Sequence, residues 1–563
     1  MIRAVSSLCL PVCAVAAWAL LYSWARFWLR DPTHLTSVLA WLGPAAWAAA
    51  ALATLAGLAL CHAEIRQLGG GLLKRGWRLI ALAALLALAA RLASIPATER
   101  VYYDEHTYLQ IARAIADEGR AQVAACGTFQ GDRLKCDVGS YPHWSAGWPT
   151  LLAGALRLSG YARWSGHALN LALSLLTTGI IALIACSLFP KTRVWLAAAM
   201  VFLCLPANQI WSRTSAPEAL GVFTFSLAAL AAIVFARKPS ARSGFLLAAS
   251  VVMAAMVRNE AIIVVPVCAL FILSIGGRAV LRRAMWPLAA AAASLLPQAA
   301  HLGVVSRGYE PWMAGAGFGA GNVPANIASV SGYFRHEPAA LFCLLLAALG
   351  ASKSGSRRGV ALWGWTLAAF AVPMFYIAGS YAYPGGERFV LAWAAPLALL
   401  AGVGLYAVHR TVKERIPRGA VVVTWAIVFL GALFSAGPHS ALHDAETAVP
   451  RRDCAFLREI VRRVPANGVV ITADPPAVIA EGRSAALITW VGEDKCRLDE
   501  LGARFPGGVF YFAAPSSSPN QWAGGEQSRR LIFQRSAARL VERREVPAGR
   551  QESYVLLPKS KGQ

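Results

Sequence analysis

The sequence predicts a polytopic α-helical membrane protein with a small extracytoplasmic α/β domain at its C-terminal end. Three observations carry this. Hydrophobic residues make up 57% of the 563 positions and charged residues only 15%. Apolar runs long enough to cross a bilayer recur from residue 7 to about residue 437. From residue 438 onward the pattern changes to one amphipathic helix followed by short strand-like runs.

Backbone polar groups inside lipid must be satisfied within the segment, so continuous Leu/Ala-rich runs read as helices, whereas a barrel would alternate. About 13 crossings are expected, near 7–28, 36–61, 77–95, 166–188, 194–209, 217–236, 243–257, 260–276, 284–304, 338–350, 359–379, 388–408 and 419–437. The first run carries Trp18, Trp24, Arg26 and Trp28 and no clear cleavage site, and reads as a retained helix rather than a signal peptide. Residues 243–276 as one helix would be about 50 Å long against a core of about 30 Å, so they divide at "VRNEA".

The formal net charge is +24. The basic residues concentrate in short loops (Arg66, Lys74 and Arg75; Arg278, Arg282 and Arg283; Arg410, Lys413 and Arg415), which is a topology signal and not a nucleic-acid footprint. They place the N-terminus in the cytoplasm of a plasma (inner) membrane. The loop 96–165, the Gly-rich loop 305–337 and the C-terminal domain then lie outside. Three parts result: two extra N-terminal helices in 1–76, a transmembrane catalytic core in 77–437, and an outer α/β domain in 438–563. The loop 305–337 suits either a lid or a connector. In the outer domain "CAFLREIVRRVP" puts Phe456, Leu457, Ile460, Val461 and Val464 on one helical face. "GVVITAD", "AALITWV", "GGVFYFAA" and "ESYVLL" read as strands.

Of 11 cysteines, seven sit in apolar runs. Cys126, Cys136, Cys454 and Cys496 fall on the oxidising side, where Cys126–Cys136 and Cys454–Cys496 disulfides are expected. No tight Cys-x-x-Cys spacing suggests zinc, no cofactor is certain, and a metal requirement stays open.

The chemistry gathers on the outer face. "RVYYDEHTYLQIARAIADEG" sets Asp104 and Glu105 before a helix with Tyr108, Ile111, Ala112 and Ile115 on one side, which suggests an interfacial helix. "SYPHWSAGWPTLLAGALRLSG" reads as a second interfacial or re-entrant helix and includes His143. "WSRTSAPEAL" offers Glu218, "VRNEA" offers Arg258 and Glu260, and "YAYPGGERFVLAWAAP" offers Tyr383, Glu387 and Arg388. Carboxylates and arginines on one membrane face are what sugar transfer from a lipid-linked phosphate needs. A carboxylate takes the proton of an attacking hydroxyl, and arginines hold the phosphate as it leaves. Structural roles compete: Asp104 suits a helix cap, Glu218 the first turn after Pro217, and Arg258 with Glu260 a local ion pair.

In order and position these motifs resemble the GT-C superfamily of polytopic glycosyltransferases. They are most similar to the dolichyl-phosphate-mannose protein mannosyltransferase type and the lipid A aminoarabinose transferases. The resemblance covers roughly residues 77–408 and implies a polyprenyl-phosphate sugar donor in the membrane and a protein, lipid or glycan acceptor. It implies Asp104 as general base and Glu105 as the second acid. It places Glu218 at another functional acid and Arg258 and Arg388 near the donor phosphate. This chain departs from the family in having "PHWSAGWP" with His143 where many relatives read "HPPL", Asn259 after Arg258, and two extra helices before the core. Two other classes compete. A lipid-sugar transporter or flippase would favour midplane charges and paired halves. A ligase or polymerase would use a diphosphate-linked donor.

Overall fold

The structure, a computed structural model, describes residues 32–70, 76–99, 102–123, 127–130, 133–136, 141–190, 192–308, 319–376, 379, 386–416, 445, 447–515, 524–546 and 549–558. The expected spans 7–28 and 419–437 lie outside these.

Six described helices are long and apolar enough to cross a membrane: His34–Leu60, Trp77–Ser94, Ser165–Leu188, Glu218–Arg237, Asn259–Ser294 and Val390–Arg415. A bent pair, Ala320–Arg335 and Pro338–Lys353, would make a seventh. Val194–Cys204 and Ala241–Ala255 are shorter apolar helices. "VRNEA" does divide its segment: the helix Ala241–Ala255 ends, residues Asn259–Ile263 form a 3-10 turn, and the next helix starts at Val264. That helix breaks once, at Gly277 (φ 75°, ψ −177°), a conformation only glycine adopts without strain, and continues to Ser294. The expected basic loop around Arg278–Arg283 is therefore helical.

Helices inside a membrane gain little from the hydrophobic effect and associate by close packing, which small residues permit. The helices Pro338–Lys353 and Val390–Arg415 meet at glycines in this way. A Cβ on Gly350 would lie 1.8 Å from the Leu400 carbonyl oxygen, and one on Gly404 would lie 2.0 Å from that of Leu346. Arg91, buried near the end of Trp77–Ser94, donates to Ser174 Oγ (2.8 Å), Ser212 Oγ (3.3 Å) and the Leu203 carbonyl (3.0 Å), and so ties three segments together.

The acidic helix Tyr102–Glu118 and the helix Gly147–Leu158 stand where two interfacial helices were expected. The acidic helix is covered more completely than an interfacial helix would be, with residues 105–112 all buried. The C-terminal domain explains this, because its short helix Pro475–Ala480 packs against the acidic helix. Between these two helices in sequence, strands β1 (Gly127–Gln130) and β2 (Arg133–Cys136) form a two-stranded antiparallel ribbon.

The C-terminal domain is a five-stranded mixed sheet in the order β4-β3-β5-β7-β6: β3 Val469–Thr472, β4 Ser484–Leu487, β5 Val509–Ala513, β6 Ser536–Val546 and β7 Gly549–Pro558. β3 runs parallel to β4 and β5, while β7 is antiparallel to β5 and β6. The helix 447–463 lays Phe456, Leu457, Ile460 and Val461 on the sheet, with Val464 just beyond it, the face its periodicity predicts.

Three expectations need correction. "AALITWV" is a strand only to Leu487, and Ile488–Glu493 is helical because Val491 and Ile488 pack under the sheet. Within the expected loop 305–337, residues Val323–His336 form a helix. It is pinned by Asn326, whose Nδ2 donates to the carbonyls of Met374 (2.9 Å) and Tyr376 (2.8 Å) at the end of Ser356–Phe375. Finally, Cys454 and Cys496 do not pair: Cys454 is buried beneath the acidic helix, whereas Cys496 is an exposed free thiol in Lys495–Arg504. Cys126 lies outside the described residues, and Cys136 is placed only by its backbone, opposite Gly127 in the ribbon.

Candidate active site

Four elements converge at one end of the helical core. The acidic helix brings Asp104. The start of Glu218–Arg237 brings Glu218, the turn before Asn259–Ile263 brings Arg258, and the 3-10 turn Gly386–Phe389 brings Arg388.

The turn that aims Glu218 is fixed by buried hydrogen bonds. Trp148 Nε1 donates to the Ser215 carbonyl (2.9 Å), and Asn170 Nδ2 to the carbonyls of Thr214 (2.8 Å) and Ala216 (2.7 Å). Glu105 belongs to the same device. It is buried and accepts the Ser215 backbone N–H at 2.8 Å. The two adjacent acids thus diverge: successive helical side chains point about 100° apart, so one faces the site and the other the scaffold.

Asp104 is partly exposed, with Oδ2 3.3 Å from Arg388 Nη1. Arg258 sits between two carboxylates, donating to Glu218 Oε1 at 2.7 Å and to Glu260. Burial works against the charge on both guanidiniums, but the carboxylates outweigh it (Glu260 then Glu218 for Arg258, Asp104 then Glu218 for Arg388), so both stay cationic. The second oxygen of Glu218 is buried without a hydrogen-bond partner among the described residues. Both guanidiniums also lie by the Phe389 ring, 5.9 Å and 5.4 Å from its centre.

Tyr108 was read from sequence only as part of an apolar face. One turn beyond Asp104, it is buried and feels Asp104, Glu218, Arg258 and Arg388 at once. Burial and then the two carboxylates hold its hydroxyl well above the ordinary phenol range, so it stays neutral and able to donate. The i, i+4 spacing from Asp104 was the available signal.

A cavity opens beside these groups. Glu218, Arg258, Glu260 and Arg388 form its polar end, and Phe225, Trp365, Val372 and Leu391 are among its apolar walls. Arginines set among carboxylates at one end and hydrocarbon along the rest suit a polar headgroup on an apolar tail.

His143 stacks on Trp144 (ring centres 3.6 Å apart), which in turn meets Tyr108 edge-on at 5.8 Å. Burial lowers the His143 pKa, with Asp104 opposing. Asn259 holds this loop: it donates to the His143 carbonyl (3.3 Å) and accepts from Ser145 Oγ (2.7 Å). His143 therefore flanks the site and does not line the cavity among the described residues. Tyr383 lies outside the described residues, and the side chain of Glu387 is not described.

Comparison with known proteins agrees with this architecture. Residues 146–303 match the family model of the dolichyl-phosphate-mannose-protein mannosyltransferases. The fold is similar to that of ArnT from Cupriavidus metallidurans bound to undecaprenyl phosphate, with a TM-score of 0.58 and 15% identity over 86% of this chain and 98% of that one. It is similar also to the same protein in the apo state, with a TM-score of 0.57 and 14% identity over 85% and 98%. No curated protein matches by sequence.

Proposed function

We propose, from the premise that the chain is a membrane glycosyltransferase of the GT-C superfamily, that it moves a sugar from a polyprenyl-phosphate donor to an acceptor hydroxyl at the outer face of a plasma membrane. The observation that carries the reading is the cavity with two arginines at its polar end and Asp104 paired to one of them.

The donor tail runs along the apolar wall by Trp365 and Phe225, and its phosphate meets Arg388 and the exposed edge of Arg258. Arg258 is already committed to Glu218 and Glu260, so it mainly fixes the site's shape. Arg388 shares its charge between Asp104 and the incoming phosphate. Asp104, rather than Glu105, is the base, because only Asp104 faces the cationic end. The acceptor hydroxyl attacks the anomeric carbon as its proton passes to Asp104. The sugar–phosphate bond breaks, and the oxygen left on the lipid phosphate gains the charge that Arg388 and Arg258 stabilise. Tyr108 donates a neutral hydrogen bond within the same group.

The test offers purified protein a panel of polyprenyl-phosphate and polyprenyl-diphosphate sugars and identifies the lipid released. Accumulation of polyprenyl monophosphate from the monophosphate series alone is expected. Release of the diphosphate carrier would favour a ligase or polymerase, and movement of intact donor across vesicles without release would favour a flippase.

A further inference from the structure

Away from the cavity, on the opposite side of the acidic helix, three metal-ligating side chains meet. Glu99, His106 and Cys454 are all buried, and one ligand atom from each lies within 4.8 Å of the other two. Cys454 Sγ is 3.7 Å from Glu99 Oε2 and 3.7 Å from His106 Nε2. With Zn–S of about 2.3 Å and Zn–N or Zn–O of about 2.0–2.1 Å, tetrahedral coordination places such atoms about 3.3–3.6 Å apart. The two separations from the sulfur are within a few tenths of an ångström of those values, and the Glu99 and His106 ligand atoms lie within 4.8 Å of each other.

The surroundings suit a metal. His106 Nδ1 is 3.0 Å from Asp474 Oδ2, the carboxylate–histidine arrangement that turns the other ring nitrogen toward an ion. Arg163 Nη2 holds Glu99 by Oε1 (2.8 Å) and leaves Oε2 directed at the sulfur. Arg163 Nη2 is also 3.5 Å from Cys454 Sγ. Burial disfavours ionised Glu99, but Arg163, then His106 and His167, keep it well below the usual carboxylate range.

We propose that Glu99, His106 and Cys454 form a zinc-class divalent metal site that fastens the C-terminal domain to the acidic helix. Thiolate, imidazole and carboxylate together are a zinc-type donor set, and a water takes the fourth position. Binding a divalent ion displaces protons from the ligand atoms, so affinity falls as pH is lowered. The ligands come from three places: the segment after Trp77–Ser94, the acidic helix two residues past Asp104, and the helix 447–463. An ion there sets the register of the helix that presents Asp104 and acts through position, not on the reacting atoms.

The test uses the full-length protein in detergent, stripped with chelator and titrated with cobalt(II) and with zinc(II). The wild type is expected to bind one cobalt per chain with a thiolate-to-cobalt charge-transfer band and the visible bands of a tetrahedral ion, both displaced by zinc. Cys454→Ser and His106→Gln should lose the band, Cys496→Ser should keep it, and Asp474→Asn should weaken affinity about 10–100-fold. Should Cys454→Ser not fold, zinc protection of Cys454 from alkylation, mapped by mass spectrometry on the wild type, replaces it. Absence of a cobalt–thiolate band in the wild type, a band indifferent to Cys454 and His106, or alkylation of Cys454 unaffected by zinc would each overturn the site.

Discussion

At the scale of single residues, the neighbouring acids Asp104 and Glu105 have opposite fates. Asp104 faces a guanidinium at the mouth of the cavity, while Glu105 is buried as the acceptor of a backbone N–H. Glu105→Gln is therefore expected to cost about 1–3 kcal/mol of stability. Thermal melting should register it, with a smaller effect on turnover per folded molecule. Glu218→Ala removes one of the two carboxylates paired with Arg258, which keeps Glu260, and should lower stability by about 1–3 kcal/mol in thermal melting. His143 gives a pH test. Burial lowers its folded pKa below the unfolded value of about 6.5, so its contribution is complete above that pH and lost as pH falls through the folded pKa. A melting temperature that declines below about pH 6.5 in the wild type and less so in His143→Phe is expected; identical profiles would count against this reading. The type of each residue was legible in sequence, but the direction each side chain takes was not, because one residue along a helix decides it.

At the scale of elements, the sequence located what repeats locally and missed what depends on a partner. The acidic helix, the helix starting at Gly147, the division at "VRNEA" and the face of 447–463 all follow from period and from turn residues. The helix Val323–His336 was read as loop because Gly and Ser interrupt it. It is held by Asn326 bonding to carbonyls near Pro373, some 50 positions away. Asn326→Ala leaves those acceptors unpaired and should lower stability by about 1–3 kcal/mol, with exchange protection lost first in residues 323–336. Unchanged protection there would mean the helix stands on its own packing. "AALITWV" misled for a related reason: a short apolar run does not distinguish a strand from a buried helical turn.

At the scale of the whole molecule, the C-terminal domain and the helical core meet on the helix that carries Asp104. His106 and Cys454 are 348 positions apart, and no local pattern could have paired them. The expected Cys454–Cys496 bridge failed for the same reason, since compartment alone chose the partner. Deleting residues after 440 uncovers the buried face of the acidic helix, and a tenfold or greater loss of activity is expected. Unchanged kinetics would separate the domain from the reaction. The central claim, that Asp104 is the base of a sugar transfer from a polyprenyl phosphate, is tested most directly by comparing Asp104→Asn with wild type. The measurement is single-turnover release of polyprenyl phosphate at saturating donor, with melting temperatures matched. The account predicts a fall of about a hundredfold or more with donor binding retained; equal release by both proteins would contradict it and leave Asp104 as no more than an acid in the first turn of its helix.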